Sequence, residues 1–291
     1  MISSIYRAGL ILIILMMSLG MLGCKSINNI RPLDPSLSSP RPIIIMSYNI
    51  RIGAGHNKFG RSPYKLKDEI NLDLKPVVEA ISSVDPDIVG LQEVLGSGQA
   101  SELGKALNMN YAYVPHGIDK YGNWWGVAIL SKFPIQGVSR HEISSGRGNT
   151  RANLIADINL FGTKAVFISI HRDRDQTDGN ALHNTMQRIN KIKDPVVLIG
   201  DLNIWPDDER HEIISSRLVD SAGFVDTRSA KFARERGTYP GEYGDKWGKR
   251  IDYILIDKGR YEVLDSGLIE EKYWGASDHI GYYTKLKLLY F

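Results

Sequence analysis

Asp201 and Asn203 stand two residues apart at the end of Pro195-Val196-Val197-Leu198-Ile199-Gly200, an apolar run opened by proline and closed by glycine. Such a run reads as a short strand buried on both faces. With an extended backbone, both polar side chains leave the same side of the chain, roughly 6–7 Å apart. A carboxylate and a carboxamide at the mouth of an apolar strand are costly without a partner or a task. A Gly-Asp turn would account for the pair if it stood alone, but it has company. Asn49 follows Ile43-Ile44-Ile45-Met46, Glu93 follows Ile88-Val89-Gly90-Leu91, His171 follows Ile168-Ser169-Ile170, and Asp278-His279 lie beside the last strand-like segment. Strand ends that repeatedly deliver acids, amides and imidazoles describe a convergent pocket. Oxygen donors without a thiol suit a hard cation such as Mg²⁺ or Mn²⁺. Two histidines complete the parts for metal-assisted attack by water on a phosphorus centre.

The elements that must position these residues alternate between strand and helix patterns. Apolar residues recur at three to four over 64–84, a helical period interrupted at Pro76. Shorter helices are expected around 101–107, 181–192 and 209–218. Strands are expected at 111–115, 125–130, 152–158, 165–170, 251–256, 263–269 and 282–289, with 219–249 irregular. The pattern fits one α/β or α+β domain of two layered sheets over 42–291. One cysteine, Cys24, excludes a disulfide framework. The net charge of +3 announces no nucleic-acid partner by itself. Of seven histidines, His171, His183 and His279 lie near other polar residues of interest.

The motifs Ser47-Tyr48-Asn49-Ile50, Gly90-Leu91-Gln92-Glu93-Val94, Ser131-Lys132-Phe133-Pro134, His171, Gly200-Asp201-Leu202-Asn203, Arg250-Ile251-Asp252-Tyr253-Ile254 and Ser277-Asp278-His279 occur in one order. Each is weak alone; the ordered set over about residues 43–290 resembles the endonuclease/exonuclease/phosphatase superfamily, the fold of DNase I-like metal-dependent phosphohydrolases. The resemblance implies a four-layered sandwich of two packed, mainly antiparallel β-sheets flanked by helices, with the active site at one edge. It implies Glu93 as principal Mg²⁺ ligand, Asn49 close by, and Asp278 completing the shell. Asp201 and Asn203 would orient the attacking water and hold a phosphoryl oxygen. His279, oriented by Asp252, would bind phosphate or activate water, and His171 would donate a hydrogen bond or proton on the leaving-group side. Arg151 matches a family position for an arginine near the phosphate, or is a solvated strand-start residue. The chain departs from many family nucleases in carrying Arg51, not an acid, two residues after Asn49, which favours one cation site.

The superfamily acts on nucleic acids, phospholipid headgroups and small phosphoesters through one site, so fold does not choose the substrate. A nuclease needs a basic groove, and Arg172, Arg174, Arg188, Arg228, Lys231, Arg234, Arg236, Lys246, Lys249 and Arg250 offer one, punctuated by acids. A phospholipase C-type or sphingomyelinase-like enzyme needs apolar loops, for which Trp124, Trp125, Trp205, Trp247, Tyr273 and Trp274 are candidates outside strand cores. Inositol-phosphate phosphatase activity needs neither, and a non-catalytic surface binding lipoprotein would not need to keep the whole polar set. A phosphodiesterase or nuclease, monomeric, is the expectation.

Residues 8–17 are apolar after Arg7 and lead to Leu22-Gly23-Cys24. The run is short for a membrane span and is flanked like a signal peptide. It resembles a bacterial lipoprotein signal over 1–23, cut before a lipidated Cys24. Residues 24–41, rich in Ser, Asn and Pro, then read as a flexible tether. Export and lipid attachment in a bacterial cell envelope are expected.

Overall fold

The computed structural model describes residues 26–28, 39–56, 72–118, 124–143, 150–173, 179–223, 237–240 and 250–289. Two β-sheets pack face to face. The first runs β1 (Ser26–Asn28), β4 (Asn110–Ile118), β5 (Trp124–Ser131), β3 (Ile88–Val94), β2 (Ile43–Asn49), β13 (Tyr282–Leu288) and β12 (Tyr261–Leu268) from edge to edge. The second runs β10 (Leu218–Asp220), β11 (Asp252–Asp257), β9 (Val196–Asp201), β8 (Thr163–His171), β7 (Arg151–Leu160) and β6 (Ile135–Ile143). Most neighbours are antiparallel, but β2–β3 and β8–β9 are parallel. Parallel neighbours need a crossover connection. Helix α1 (Lys75–Val84) lies within the first crossover and α3 (Gly179–Ile189) within the second.

The strand at 196–201 is buried on both faces, and alternation explains what each face meets. Val197 and Ile199 join the core between the sheets, whereas Val196 and Leu198 join Ala181, Leu182, Met186 and Ile189 of α3. Val77, Ala80 and Ile81 of α1, with Ala100 and Leu103 of α2 (Gly96–Ala106), cover the first sheet. The layers are therefore helix, sheet, sheet, helix. Gly90 marks a close approach of the two sheets, because a β-carbon there would lie 2.6 Å from Ile199 Cγ2. Gly200 is needed for another reason: at φ +151° its added β-carbon would sit 1.9 Å from the carbonyl oxygen of Ile170 on β8.

Several elements differ from the sequence expectation. Helix α1 begins at Lys75, so Pro76 occupies its first turn, where a missing N–H costs nothing, and does not kink it. Residues 64–71, the first part of the expected 64–84 helix, lie outside the described residues. Helix α2 starts five residues before the expected 101, although Gly96 and Gly98 are poor helix formers. Gln99 compensates, accepting from the Leu95 N–H at 2.8 Å and donating to the Ile52 carbonyl at 2.7 Å. The expected helix 209–218 shortens to α4 (His211–Ser215), and Leu218 instead opens β10. Within the expected tether, Ser26–Asn28 pairs with Tyr111–Tyr113 as an edge strand. Cys24 and the apolar run 8–17 lie outside the described residues, and no described helix is long and apolar enough to cross a membrane.

Candidate active site

The two parallel pairs build the site. Parallel neighbours end side by side, so β2 and β3 place Asn49 opposite Gln92 with Glu93 next, while β8 and β9 place His171 opposite Asp201. The antiparallel partner β11 begins where β9 ends and sets Asp252 opposite Asp201. Asn49, His171, Asp201, Asp252 and His279 are all buried to 3% exposure or less. The sequence-expected cluster is brought together, apart from His183, which is exposed on α3 and bonded to Gln187.

Two backbone irregularities aim side chains. Glu93 has φ +55° at a register shift between β3 and β5, a bulge that turns its carboxylate out of the strand alternation. Asn203 has φ +50°, and its N–H donates to Asp201 Oδ1 at 2.9 Å while its Nδ2 donates to the Arg172 carbonyl at 2.8 Å. An asparagine tolerates this left-handed geometry better than most residues. The Asp201 carboxylate is held on its other side by Asn49 Nδ2, 3.3 Å from Oδ2.

His279 and Asp252 form the tightest pair. Nδ1–H of His279 donates to Asp252 Oδ2 at 2.9 Å, and its Nε2 lies 3.8 Å from Asp201 Oδ2. Burial alone would lower the imidazole pKa, but the charge and hydrogen bond of Asp252, then Asp201 and Asp278, push it up to about 10. Burial and the Asp252 charge push Asp201 up to about 7, against the opposing pull of His279. Thus His279 is an imidazolium near neutrality, and Asp201 is poised to exchange a proton there.

Around this cluster stand supporting residues, of which Thr238 was not signalled by the sequence, whereas Ser277, Arg51 and Arg151 were singled out there without these partners. Thr238, in a stretch read only as irregular, accepts from the N–H groups of Ile251 and Asp252 at 3.1 and 3.0 Å. Ser277 Oγ donates to the Asn49 carbonyl at 2.7 Å and ties the last loop to β2. Arg51 is 4% exposed, and its Nε lies 3.4 Å from Asp278 Oδ2. Arg151 Nη1 meets His171 Nδ1 at 3.1 Å, and its guanidinium stacks 4.2 Å above the Trp125 ring. Trp125 lies on β5, within the strand expected at 125–130, and is buried, so it is not the loop aromatic that a phospholipase C-type reading needs; Trp205 is 44% exposed, and Trp247 lies outside the described residues.

The donor set fits a divalent cation. Asp201 is raised first by burial and then by the nearby Asp252 and Glu93 carboxylates, Asp278 acts on the neighbouring His279, and Asp252 Oδ1 is buried with no hydrogen-bond partner among the described residues. Oxygen donors of this kind suit Mg²⁺ or Mn²⁺. Ligand atoms of Asp201, Asp252 and His279 also lie within 4.8 Å of one another, close enough to share an ion. Two placements are therefore open to the ion: at Glu93, with Asn49 beside it on the neighbouring strand end, or within the Asp201–Asp252–His279 trio.

A family model described as Endonuclease/Exonuclease/phosphatase family matches residues 46–279. No curated protein matches the chain by sequence. Among solved structures, an endonuclease/exonuclease/phosphatase family protein from Leptotrichia buccalis is 19% identical, covering 84% of this chain and 100% of its own, with a TM-score of 0.65. A mannosyl-6-phosphatase from Bacteroides thetaiotaomicron is 20% identical, over 84% of this chain and 99% of its own, with a TM-score of 0.58. A humanized D. rerio TDP2 is 16% identical over the same shares, 84% and 99%, with a TM-score of 0.58. These likenesses establish the shared fold.

Proposed function

The chain belongs to the endonuclease/exonuclease/phosphatase family, whose members hydrolyse phosphoric esters, and we propose that it is a divalent-cation-dependent phosphodiesterase acting outside the cytoplasm. The observation that carries the chemistry is the buried Asp201–Asp252–His279 constellation facing Asn49, Glu93 and His171. Glu93 and Asn49 would hold the cation, with Asp278 in reach if it exchanges its Arg51 partner. When bound, the cation polarises a phosphoryl oxygen and offsets the charge that builds there.

The chain's own groups divide the remaining work. Asp201, oriented by Asn49 and Asn203, takes a proton from the attacking water as its oxygen bonds to phosphorus. His279 keeps its proton and donates from Nε2 to a phosphoryl oxygen, its charge sustained by Asp252. The second N–H of the Asn203 carboxamide remains for a phosphoryl oxygen, since one is committed to Arg172. The bond to the leaving oxygen then breaks, and that oxygen takes a proton from water.

Two of the site's cationic side chains are engaged by protein groups, Arg51 by Asp278 and Arg151 by His171, which leaves the His279 imidazolium and the cation to meet phosphoryl charge. A monoanionic diester asks less of them than a dianionic monoester, and we take the diester as the substrate class. Action outside the cytoplasm, lipid-anchored at Cys24, rests on the apolar run and the cysteine after it. Turnover of bis-p-nitrophenyl phosphate and p-nitrophenyl phosphate, each with and without EDTA, tests the activity. We expect Mg²⁺- or Mn²⁺-restored activity with the diester preferred in kcat/KM. A preference for the monoester would refute the diesterase assignment, and EDTA-resistant turnover would refute the cation.

A further inference from the structure

Arg151, Trp125, His116 and His171 form a buried stack beside the reacting centre that the roles above leave unused. Their exposures are 8%, 7%, 2% and 3%. The Trp125 ring meets His171 edge-on at 5.1 Å and 80°, and meets His116 at 5.0 Å and 85°. The Arg151 guanidinium carbon lies 4.2 Å from the centre of the Trp125 ring, within reach of a desolvated cation–π contact. It is thereby fixed in place before any substrate arrives.

What it fixes is a tautomer. A guanidinium has only donors, so His171 Nδ1, 3.1 Å from Arg151 Nη1, must present its lone pair. A proton on Nδ1 would set N–H against N–H across that distance. The ring is therefore neutral, with its single proton on Nε2. That nitrogen lies 3.5 Å from Asp201 Oδ2 and 3.9 Å from Glu93 Oε1, on the side of the reacting centre. His116 is held in the same way at its own Nδ1, which accepts from the Ala152 N–H at 3.0 Å. Burial, then the Arg151 and Arg140 charges, keep its pKa well below the ordinary histidine value. No imidazolium stands on that flank to compete for the guanidinium's position.

We propose that Arg151 is a positioning residue that locks His171 as the Nε2-protonated tautomer, making His171 a neutral hydrogen-bond donor to the ester rather than its general acid. The inference rests on the phosphoester-hydrolase assignment above for its consequence in turnover, but not for the tautomer. In the step, water oxygen bonds to phosphorus, the P–O bond to the leaving group breaks, and the leaving oxygen is protonated by solvent. His171 lends a hydrogen bond and keeps its proton throughout. Arg151 accordingly serves the ring, not a direct phosphate contact, with the guanidinium atom that faces His171.

Long-range ¹H–¹⁵N correlation on the metal-free full chain, labelled at histidine, reads the tautomer directly, with His171 assigned by loss of its signals in His171→Ala. We expect an unprotonated Nδ1 and a protonated Nε2 in the wild type at neutral pH. Arg151→Met should give a mixture of tautomers, and Arg151→Lys should restore the single form. His171→Ala should lower kcat by about 10²–10³, the usual loss for one preorganised donor, and by the same factor on an alkyl diester and on a p-nitrophenyl diester. An Nδ1-protonated or imidazolium signature in the wild type overturns the proposal, as does an unchanged tautomer in a folded Arg151→Met protein. A loss at His171→Ala at least tenfold larger for the alkyl ester overturns the donor role in favour of proton transfer. Because the spectrum needs no substrate, an inactive wild-type chain refutes the hydrolase assignment without touching the ring assignment.

Discussion

Replacing Asp252 by Asn removes the charge that sustains the His279 imidazolium while keeping the side chain's shape. Thr238 bonds the backbone N–H groups of residues 251 and 252, not the carboxylate, so the strand start should hold. The amide oxygen can still accept from His279 Nδ1–H across the present 2.9 Å. The electrostatics change far more than the geometry. Burial lowers the His279 pKa, and the charge and hydrogen bond of Asp252, with smaller additions from Asp201 and Asp278, together overcome it and raise it to about 10. Without Asp252, burial acts against a weaker opposition, and we expect the histidine pKa to fall by at least about 2 units. At 1.36 kcal/mol per unit, that is roughly 3 kcal/mol of lost preference for the charged ring. A charge-assisted hydrogen bond is worth a similar amount, about 1.5–3 kcal/mol. The sign for stability follows: the raised pKa stabilises the fold fully below about 6.5, and the contribution fades as pH rises through about 10. The assay is an NMR titration of His279 in metal-free wild-type and Asp252→Asn protein, with kcat on a diester measured alongside. We expect kcat to drop by about 10² or more at pH 8. If His279 in the variant still titrates within about one unit of the wild type, Asp252 does not sustain the imidazolium and the pairing argument fails.

Other outcomes follow from the same structure. Asp201 is raised to about 7 from 3.8, so its contribution to stability is present below about 4 and lost between about pH 4 and 7; metal-free wild type should therefore lose thermal stability relative to Asp201→Asn across that window, and parallel melting curves from pH 4 to 7 would contradict it. Gly200→Ala should destabilise by about 1–3 kcal/mol or more in urea unfolding, because the new β-carbon meets the Ile170 carbonyl at 1.9 Å; an unchanged midpoint would mean β8 and β9 tolerate separation. Cys24→Ser should abolish incorporation of radiolabelled fatty acid if the lipoprotein signal is real, and equal labelling of both proteins would remove lipidation at this residue.

Legibility in the sequence tracked local pattern. Val196–Ile199 advertised burial on both faces through composition alone, and the two faces meet different cores as alternation requires. Asn49, Glu93, His171 and Asp201 were legible because apolar runs ended on them, and the parallel pairs then brought those ends together; Asp252, at the start of its strand, was legible only through the resemblance of Arg250-Ile251-Asp252-Tyr253-Ile254. What stayed hidden depended on distant partners or on backbone geometry. Nothing near Arg51 signals Asp278, more than two hundred residues away. Trp125 looked like surface aromatic material because its partners, His171 and Arg151, arrive from the other sheet. The left-handed turn at Glu93 has no glycine to announce it. Thr238 sits in a segment with no periodicity, and its value comes only from the two N–H groups it receives.

The division of labour between cation ligands and proton-handling groups is the centre of the account, and calorimetric titration of Mn²⁺ into three proteins tests it most directly. The pair Glu93 and Asn49 competes with the Asp201–Asp252–His279 trio, whose ligand atoms lie within 4.8 Å of one another. Glu93→Gln should weaken Mn²⁺ binding at least about tenfold relative to wild type, the loss of one charged oxygen ligand, whereas Asp252→Asn should bind Mn²⁺ within about threefold of wild type while turning over diester poorly. Unchanged affinity in Glu93→Gln together with lost affinity in Asp252→Asn would place the ion in the trio and contradict the roles assigned to both residues.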